Sequence, residues 1–218
     1  MTIFFDFFPI FSLTAARTRA IFPQDMPYKK SDFTPPVDDD RLLLHCCCAP
    51  CACAIVELLL QFEITPTLFY FNPNIFPEAE YLKRKSECAR FADLNGLTQV
   101  DADYDHADWR AKIAGLEHEP ERGARCQRCF DIRLLKTAEH AQAHGFKMFA
   151  TTLASSRWKD ITQIDKAGFA AEQLTGVKFW AQNWRKHGLQ QRRNDLIKQH
   201  NFYNQIYCGC EFFNFSKA

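Results

Sequence analysis

Leu42-Leu43-Leu44-His45-Cys46-Cys47-Cys48-Ala49-Pro50-Cys51 is the stretch on which the reading of this chain turns. Three successive leucines do not alternate, so they do not describe a strand with one wet face. They suit a short strand buried on both faces, as in a parallel sheet covered by helices. A cysteine-rich loop over 46–50 follows at once, and residues 52–61 are apolar at helical spacing.

Outward from this unit the alternation continues. Ile64, Leu68, Phe69, Tyr70 and Phe71 mark a strand over 62–71, which Asn72-Pro73-Asn74 breaks. A helix runs from Pro77 to about Leu94, with Asn95-Gly96 as its stop signal. The pattern then predicts a strand over 97–100, a helix over 106–114, and a polar loop over 117–125. The helix over 126–144 carries Phe130, Leu134, Ala138 and Ala141 on one stripe, with Gly145 at its C-cap. A strand over 146–151, a helix over 160–174 closed by Gly176, a strand over 177–180 and a helix over 187–200 complete the order. Strands alternating with helices predict an α/β fold with a right-handed, mostly parallel sheet and helices on both faces. Ligands of such folds gather at the carboxyl ends of the strands, where the loop over 46–51 lies.

Residues 41–218 read as a single catalytic α/β domain. Pro27, Pro35, Pro36 and the run Asp38-Asp39-Asp40 make residues 1–40 an extended, poorly ordered lead-in. The apolar stretch within 1–25 lacks a basic n-region, contains Asp6 and Pro9, and is too short to span a bilayer. Met26 reads as an alternative start. The expected location is the cytoplasm, with no membrane association.

Lys and Arg number 27 against 26 Asp and Glu, a net charge of +1, so any nucleic-acid contact must come from a local basic patch. The 10 cysteines fall below the density of small secreted disulfide scaffolds, and five of them lie between Cys46 and Cys53. Disulfide geometry is too narrow for adjacent cysteines all to find separate partners, so the cluster points to metal or redox chemistry.

Three groups carry that chemistry: Cys46-Cys47-Cys48 with Cys51, Cys126-Gln127-Arg128-Cys129, and Cys208-Gly209-Cys210. Cys53 and Cys88 sit inside expected helices and read as core. Cys126 and Cys129 share one face at a helix start. The helix N-terminus and Arg122, Arg125 and Arg128 are expected to lower their thiol pKa values. Four thiolates suit zinc or an iron–sulfur cluster. A Cys-Cys pair with one C-x-x-C differs from the two-knuckle zinc layout and favours a cluster. Gly209 lets the backbone fold sharply so that the sulfurs of Cys208 and Cys210 converge. A disulfide across one residue would be strained and easily reduced, which makes the pair a redox shuttle. The two could instead ligate a second metal together with Cys51.

These residues resemble the QueH-type epoxyqueuosine reductases, which are cobalamin-independent. The likeness rests on Leu42-Leu43-Leu44-His45 leading into Cys47-Cys48-Ala49-Pro50-Cys51, on Tyr70-Phe71-Asn72-Pro73-Asn74-Ile75, and on Arg125-Cys126 with Cys129. It continues through Phe149-Ala150-Thr151-Thr152-Leu153, Trp184-Arg185-Lys186 and Tyr207-Cys208-Gly209-Cys210, and covers about residues 41–213. Cys46 makes three consecutive cysteines, so the ligand pair could slip by one residue. In this family the position of Cys51 holds Cys or Asp.

The resemblance implies a Rossmann-like fold related to the adenine-nucleotide hydrolase group. It also implies reduction of epoxyqueuosine to queuosine at the wobble base of tRNA. By position, Cys47, Cys48, Cys126 and Cys129 would hold a [4Fe–4S] cluster, and Cys208 and Cys210 would be the redox-active pair, with Cys51 beside the catalytic set. An additional mononuclear iron is left open. The reaction consumes two electrons and releases water, and no ordinary side chain supplies those electrons.

For substrate binding, Asn72, Asn74, Thr151 and Thr152 could line the strand ends, while Tyr81, Trp184, Tyr203 and Tyr207 could stack on a splayed base. Arg122, Arg125, Arg128, Arg133, Arg185, Lys186, Arg192 and Arg193 could track phosphates, Arg185 and Lys186 foremost. The electron donor and oligomeric state are not legible. The rival readings are a zinc-stabilised RNA-binding module without catalysis and an ATP-using tRNA thiolation enzyme, which would need a Gly-rich phosphate loop after the first strand.

Overall fold

The computed structural model describes residues 28–213. Its centre is a five-stranded sheet in the order β3-β2-β1-β4-β5. The strands are β1 (Arg41–His45), β2 (Thr65–Tyr70), β3 (Gln99–Asp101), β4 (Met148–Thr151) and β5 (Lys178–Phe179). Every pairing is parallel. The helices are α1 (Ala49–Gln61), α2 (Glu78–Leu94), α3 (His106–Lys112), α4 (Ala124–Ala143), α5 (Ile161–Thr175) and α6 (Leu189–His200).

The unbroken leucines of β1 have the expected cause. Successive side chains of a strand point to opposite faces, and both faces are covered. Leu42 and Leu44 enter one core with Leu68, Tyr70, Met148 and Ala150. Leu43 enters the other with Phe69 and Phe149. Helices α1, α2 and α6 close the first core through Val56, Tyr81, Phe91 and Leu196. Helices α4 and α5 close the second through Phe130, Leu134, Ile164 and Ala171.

From β1 the chain builds outward to β2 and β3. It then returns through α4 to place β4 on the other side of β1. The carboxyl ends of β1 and β4 are therefore a topological switch point, where connecting segments diverge and leave a crevice.

Several boundaries differ from the sequence reading. Helix α1 starts at Ala49 rather than at 52, with Cys48 as its N-cap. Pro50 sits in the first turn, where its missing N–H has no intrahelical partner to lose. Cys51 thus belongs to the helix. Helix α4 begins at Ala124, so Cys126 and Cys129 lie on its first two turns. Residues 62–64 close α1 instead of opening β2: the Phe62 N–H returns to Leu58 and Leu59, and Glu63 takes φ 63°.

Part of the lead-in packs on the domain. Tyr28 and Phe33 are buried, and Phe33 stacks on Trp184 at 6.3 Å. The alternative start at Met26, the rest of 1–27, and 214–218 lie outside the described residues. No described helix is long and apolar enough to cross a membrane.

Candidate active site

The site is built at the switch point. His45 ends β1 beside Thr151 of β4, its register partner. The next residues, Cys47 and Cys48, turn into the N-terminus of α1. The Cys47 N–H donates to Thr152 Oγ1 at 3.0 Å, and the same hydroxyl lies 3.3 Å from Cys47 Sγ. Asn72, just beyond β2, donates to the Cys46 carbonyl at 3.0 Å and accepts from the buried Arg133 of α4. Three strand ends and one helix thus fix the cysteine turn through buried polar contacts.

The sulfurs of Cys47, Cys48 and Cys51 all lie within 4.8 Å of one another. The triad shares negative charge unequally. Hydrogen bonds from Cys48 and Cys51 hold the Cys47 thiol well below the ordinary range, helped by Lys159 and Arg133. Donating to Cys47 pushes Cys51 up to about 11, and burial pushes Cys48 up. The Gln205 side chain donates to Cys48 Sγ from the C-terminal tail. Buried soft thiols with polar donors around them fit a thiolate-seeking metal centre.

Cys46 does not join this group. It faces the opposite core and lies 3.4 Å, sulfur to sulfur, from the buried Cys88 of α2. The slip of one residue that three consecutive cysteines would allow is therefore not made. Cys53 and Cys88 are buried as expected.

The expected ligands Cys126 and Cys129 are not drawn into that triad. Cys126 packs against the core that holds Cys47 and Cys48, as Cys51 also does. Cys129 packs with Trp109 and Ile113, against which Cys210 and Phe212 lie. The expectation of lowered thiol pKa values fails here. Burial pushes Cys126 up to about 11 and raises Cys129 as well, because desolvation exceeds what the helix terminus and arginines supply. Arg125 is itself buried and spends its guanidinium on the Glu117 and Phe212 carbonyls.

The tail carries the third group. Gly209 takes φ 92°, and a Cβ there would meet Ile75 Cγ1 at 2.9 Å and Arg84 Nη1 at 3.0 Å. Its carbonyl accepts from Phe76 at 2.9 Å, and Cys210 pairs with Ile75. Arg84 donates to the Cys208 carbonyl at 3.2 Å. The turn thus needs glycine both for its φ and for the close approach. A hydrogen bond from Cys210 lowers Cys208 to about 6, and the same bond raises Cys210. All ten cysteines, this pair included, are free thiols.

Other expected site residues fall into place or out of it. Thr151 and Thr152 are buried at the centre, and Asn74 is buried with its Oδ1 unpartnered. Tyr81 is buried and stacked on Tyr104 at 4.2 Å, so it offers no face to a base. Trp184 is also core. Tyr203 donates to Glu80 and lies under Lys83 at 3.6 Å. Tyr207 lies under Arg84 at 5.0 Å. Arg133 is buried behind the cysteines, and Arg192 is bound to Glu57. Arg185 donates to the Lys159 carbonyl at 2.7 Å, and Lys186 is exposed.

The family model for epoxyqueuosine reductase QueH matches residues 42–216. The chain belongs to this family. A relative from Haemophilus influenzae is 46% identical over 187 residues, covering 85% of this chain and 76% of its own. One from Histophilus somni is 42% identical over 205 residues, 94% and 84% of the two chains. One from Acinetobacter baylyi is 44% identical over 178 residues, 81% and 82%. Each is named an epoxyqueuosine reductase, and this member of the family is accordingly an oxidoreductase.

Two residues of the site escaped the sequence reading. Lys159 places positive charge near His45, Cys47, Cys51 and Cys208, but it stands outside every motif. Gln205 had a signal: it opens the Gln-x-Tyr-Cys-Gly-Cys stretch.

Proposed function

We propose that this protein reduces epoxyqueuosine to queuosine at the wobble position of tRNA, in the cytoplasm. The observation that carries the proposal is the pair Cys208–Cys210, one thiol acidic and one its donor, set in a chain of the QueH family. Both C–O bonds of the epoxide break and a C=C bond remains. Two electrons and two protons are needed, and the oxygen leaves as water. A dithiol passing to a disulfide supplies both: the two S–H bonds give their protons and electrons, and one S–S bond forms. An external reductant then restores the thiols, and the strain of a disulfide across Gly209 makes that return easy.

Cys47, Cys48, Cys126 and Cys129 would hold a [4Fe–4S] cluster, with Cys51 beside Cys47 and Cys48 in the catalytic set; an additional mononuclear iron would instead take Cys51 together with Cys208 and Cys210. Such a cluster supplies one-electron transfer when bound. Thr152 and Gln205 orient the thiolates, and Arg133 and Lys159 offset their charge. Thr151, Thr152, Asn72, Asn74 and Tyr81 would act by holding the site's walls, and Arg185 and Lys186 by meeting phosphate.

Anaerobic purification with iron, sulfide and zinc analysis, followed by turnover of epoxyqueuosine-containing tRNA, tests the reading. A brown protein that yields queuosine, with turnover lost in Cys208→Ser, is the expected result. A colourless zinc protein that binds tRNA without turnover would replace it with the RNA-binding module.

A further inference from the structure

The four tryptophans of this chain are Trp109, Trp158, Trp180 and Trp184. Three are buried, but Trp158 is 61% exposed. Tryptophan is enriched at contact surfaces, where its ring offers a large apolar face and its N–H a polar handle.

Trp158 is also held in place. Arg122 donates through Nε to the Trp158 carbonyl at 2.9 Å and through Nη2 to the Arg157 carbonyl at 3.3 Å. The Lys159 N–H returns to Ser156 at 3.2 Å. Asp160 then caps α5 by accepting from Thr162 and Gln163. The indole therefore projects from a turn whose backbone is fixed at both ends.

Its surroundings are cationic. The Arg157 guanidinium lies over the ring at 4.7 Å. Arg185 reaches the Lys159 carbonyl at 2.7 Å, close enough to Arg122 for the two charges to oppose each other. Of the nearby acids, Asp160 is committed to its helix cap, Asp165 is half-buried, and Glu121 is exposed beside Arg122. This turn follows β4 after a 3-10 turn over Thr152–Ser155, and the Lys159 charge acts on Cys47, Cys51 and Cys208.

An exposed indole with Arg157 over one face, on a turn whose carbonyls hold the guanidiniums of Arg122 and Arg185, meets the two requirements of single-stranded RNA: a free π-face for a base and cations for the phosphates beside it. We propose that Trp158 is the stacking platform for an unpaired anticodon-loop nucleotide next to the one whose base enters the cysteine centre, with Arg157 and Arg122 meeting its phosphates. This rests on the tRNA reading above and adds the residue that grips the substrate's neighbour.

The test is fluorescence anisotropy of a labelled anticodon stem-loop RNA with the full chain prepared anaerobically. Trp158→Ala is expected to weaken binding about 5- to 150-fold, the effect of one stacked base. Trp158→Phe should keep most of the affinity. Because stacking is uncharged, Trp158→Ala should leave the salt dependence of binding unchanged. Arg157→Gln should lower its slope by about 0.7. An abasic scan of the loop should find one position whose loss matches that of Trp158→Ala and adds nothing to it. Wild-type binding with no change in Trp158→Ala overturns the platform and leaves the tRNA reading standing. Failure of the wild-type chain to bind any anticodon stem-loop overturns both.

Discussion

His45 Nδ1 lies 2.8 Å from the Thr151 hydroxyl, so the ends of β1 and β4 are tied by a side-chain bond as well as by register. The other ring nitrogen lies 3.1 Å from the Phe71 carbonyl, which can only accept. Nε2 therefore carries the hydrogen and Nδ1 accepts from Thr151. Thr151 Oγ1 accepts in turn from the Leu153 N–H at 3.1 Å. The chain of bonds closes around a neutral imidazole, and it joins the three segments that position Cys47.

Burial, with Arg133 adding to it, pushes His45 down to about 3. The unfolded chain titrates near 6.5. Between these values the unfolded state binds a proton that the folded state does not. Stability is therefore full above about pH 6.5 and falls as pH drops toward 3, by up to about 1.4 kcal/mol per unit. Denaturant titrations at stepped pH should show this slope in the wild type and a flatter one in His45→Gln. Equal slopes in the two proteins would exclude His45 as the source.

Thr152 should matter through its hydroxyl alone. It accepts from the Cys47 N–H and contacts Cys47 Sγ. Thr152→Val keeps the shape but strands a buried N–H, at a cost of about 1–3 kcal/mol. It also removes an outer partner of a thiol proposed to hold metal, which should lower metal affinity about 10- to 100-fold. Competition with a chelator should show faster metal loss from Thr152→Val, while Thr152→Ser stays near wild type. If Val retains metal as the wild type does, the hydroxyl has no such role.

The fold was legible because its signals are local. Leu42-Leu43-Leu44 and the helix stripe Phe130, Leu134, Ala138 each report their own burial. Helix α1 starts three residues before the apolar spacing does, because Pro50 marks a break in a helix interior but is at home in a first turn. The cysteines were found by type, but not their partners. Cys46 and Cys47 are neighbours in sequence and face opposite cores because strand geometry continues past His45. Arg125 and Arg133 read as surface cations, yet each has carbonyl or amide partners that only the tertiary fold brings near. Lys159 was invisible for the same reason.

Cys208 should be the quickest thiol of its pair to react. With its pKa near 6 it is mostly thiolate at neutral pH. Alkylation by iodoacetamide, followed on the tail peptide by mass spectrometry, should rise about tenfold per pH unit below 6 and level off above it. The first cause of the low value is the hydrogen bond from Cys210. Cys210→Ala should accordingly move the midpoint up toward the ordinary value of about 8.5. A wild-type midpoint already near 8.5 would mean that the pair is not poised in this way.

Arg192 separates a structural cation from a substrate-binding one. Its guanidinium meets Glu57 at 2.7 and 2.6 Å, docking α6 on α1. Glu57 is buried, so losing its partner leaves a charge with nowhere to go. Breaking such a pair costs about 3–5 kcal/mol, whereas replacing both members with apolar groups is often neutral. Arg192→Met should therefore lower the midpoint of thermal unfolding sharply, and Glu57→Leu in the same chain should recover most of the loss. RNA affinity of the folded fraction, and its salt slope, should stay unchanged in both variants, because Arg192 has no charge to spare for phosphate. A reduced salt slope with unchanged stability would return Arg192 to the RNA-binding surface.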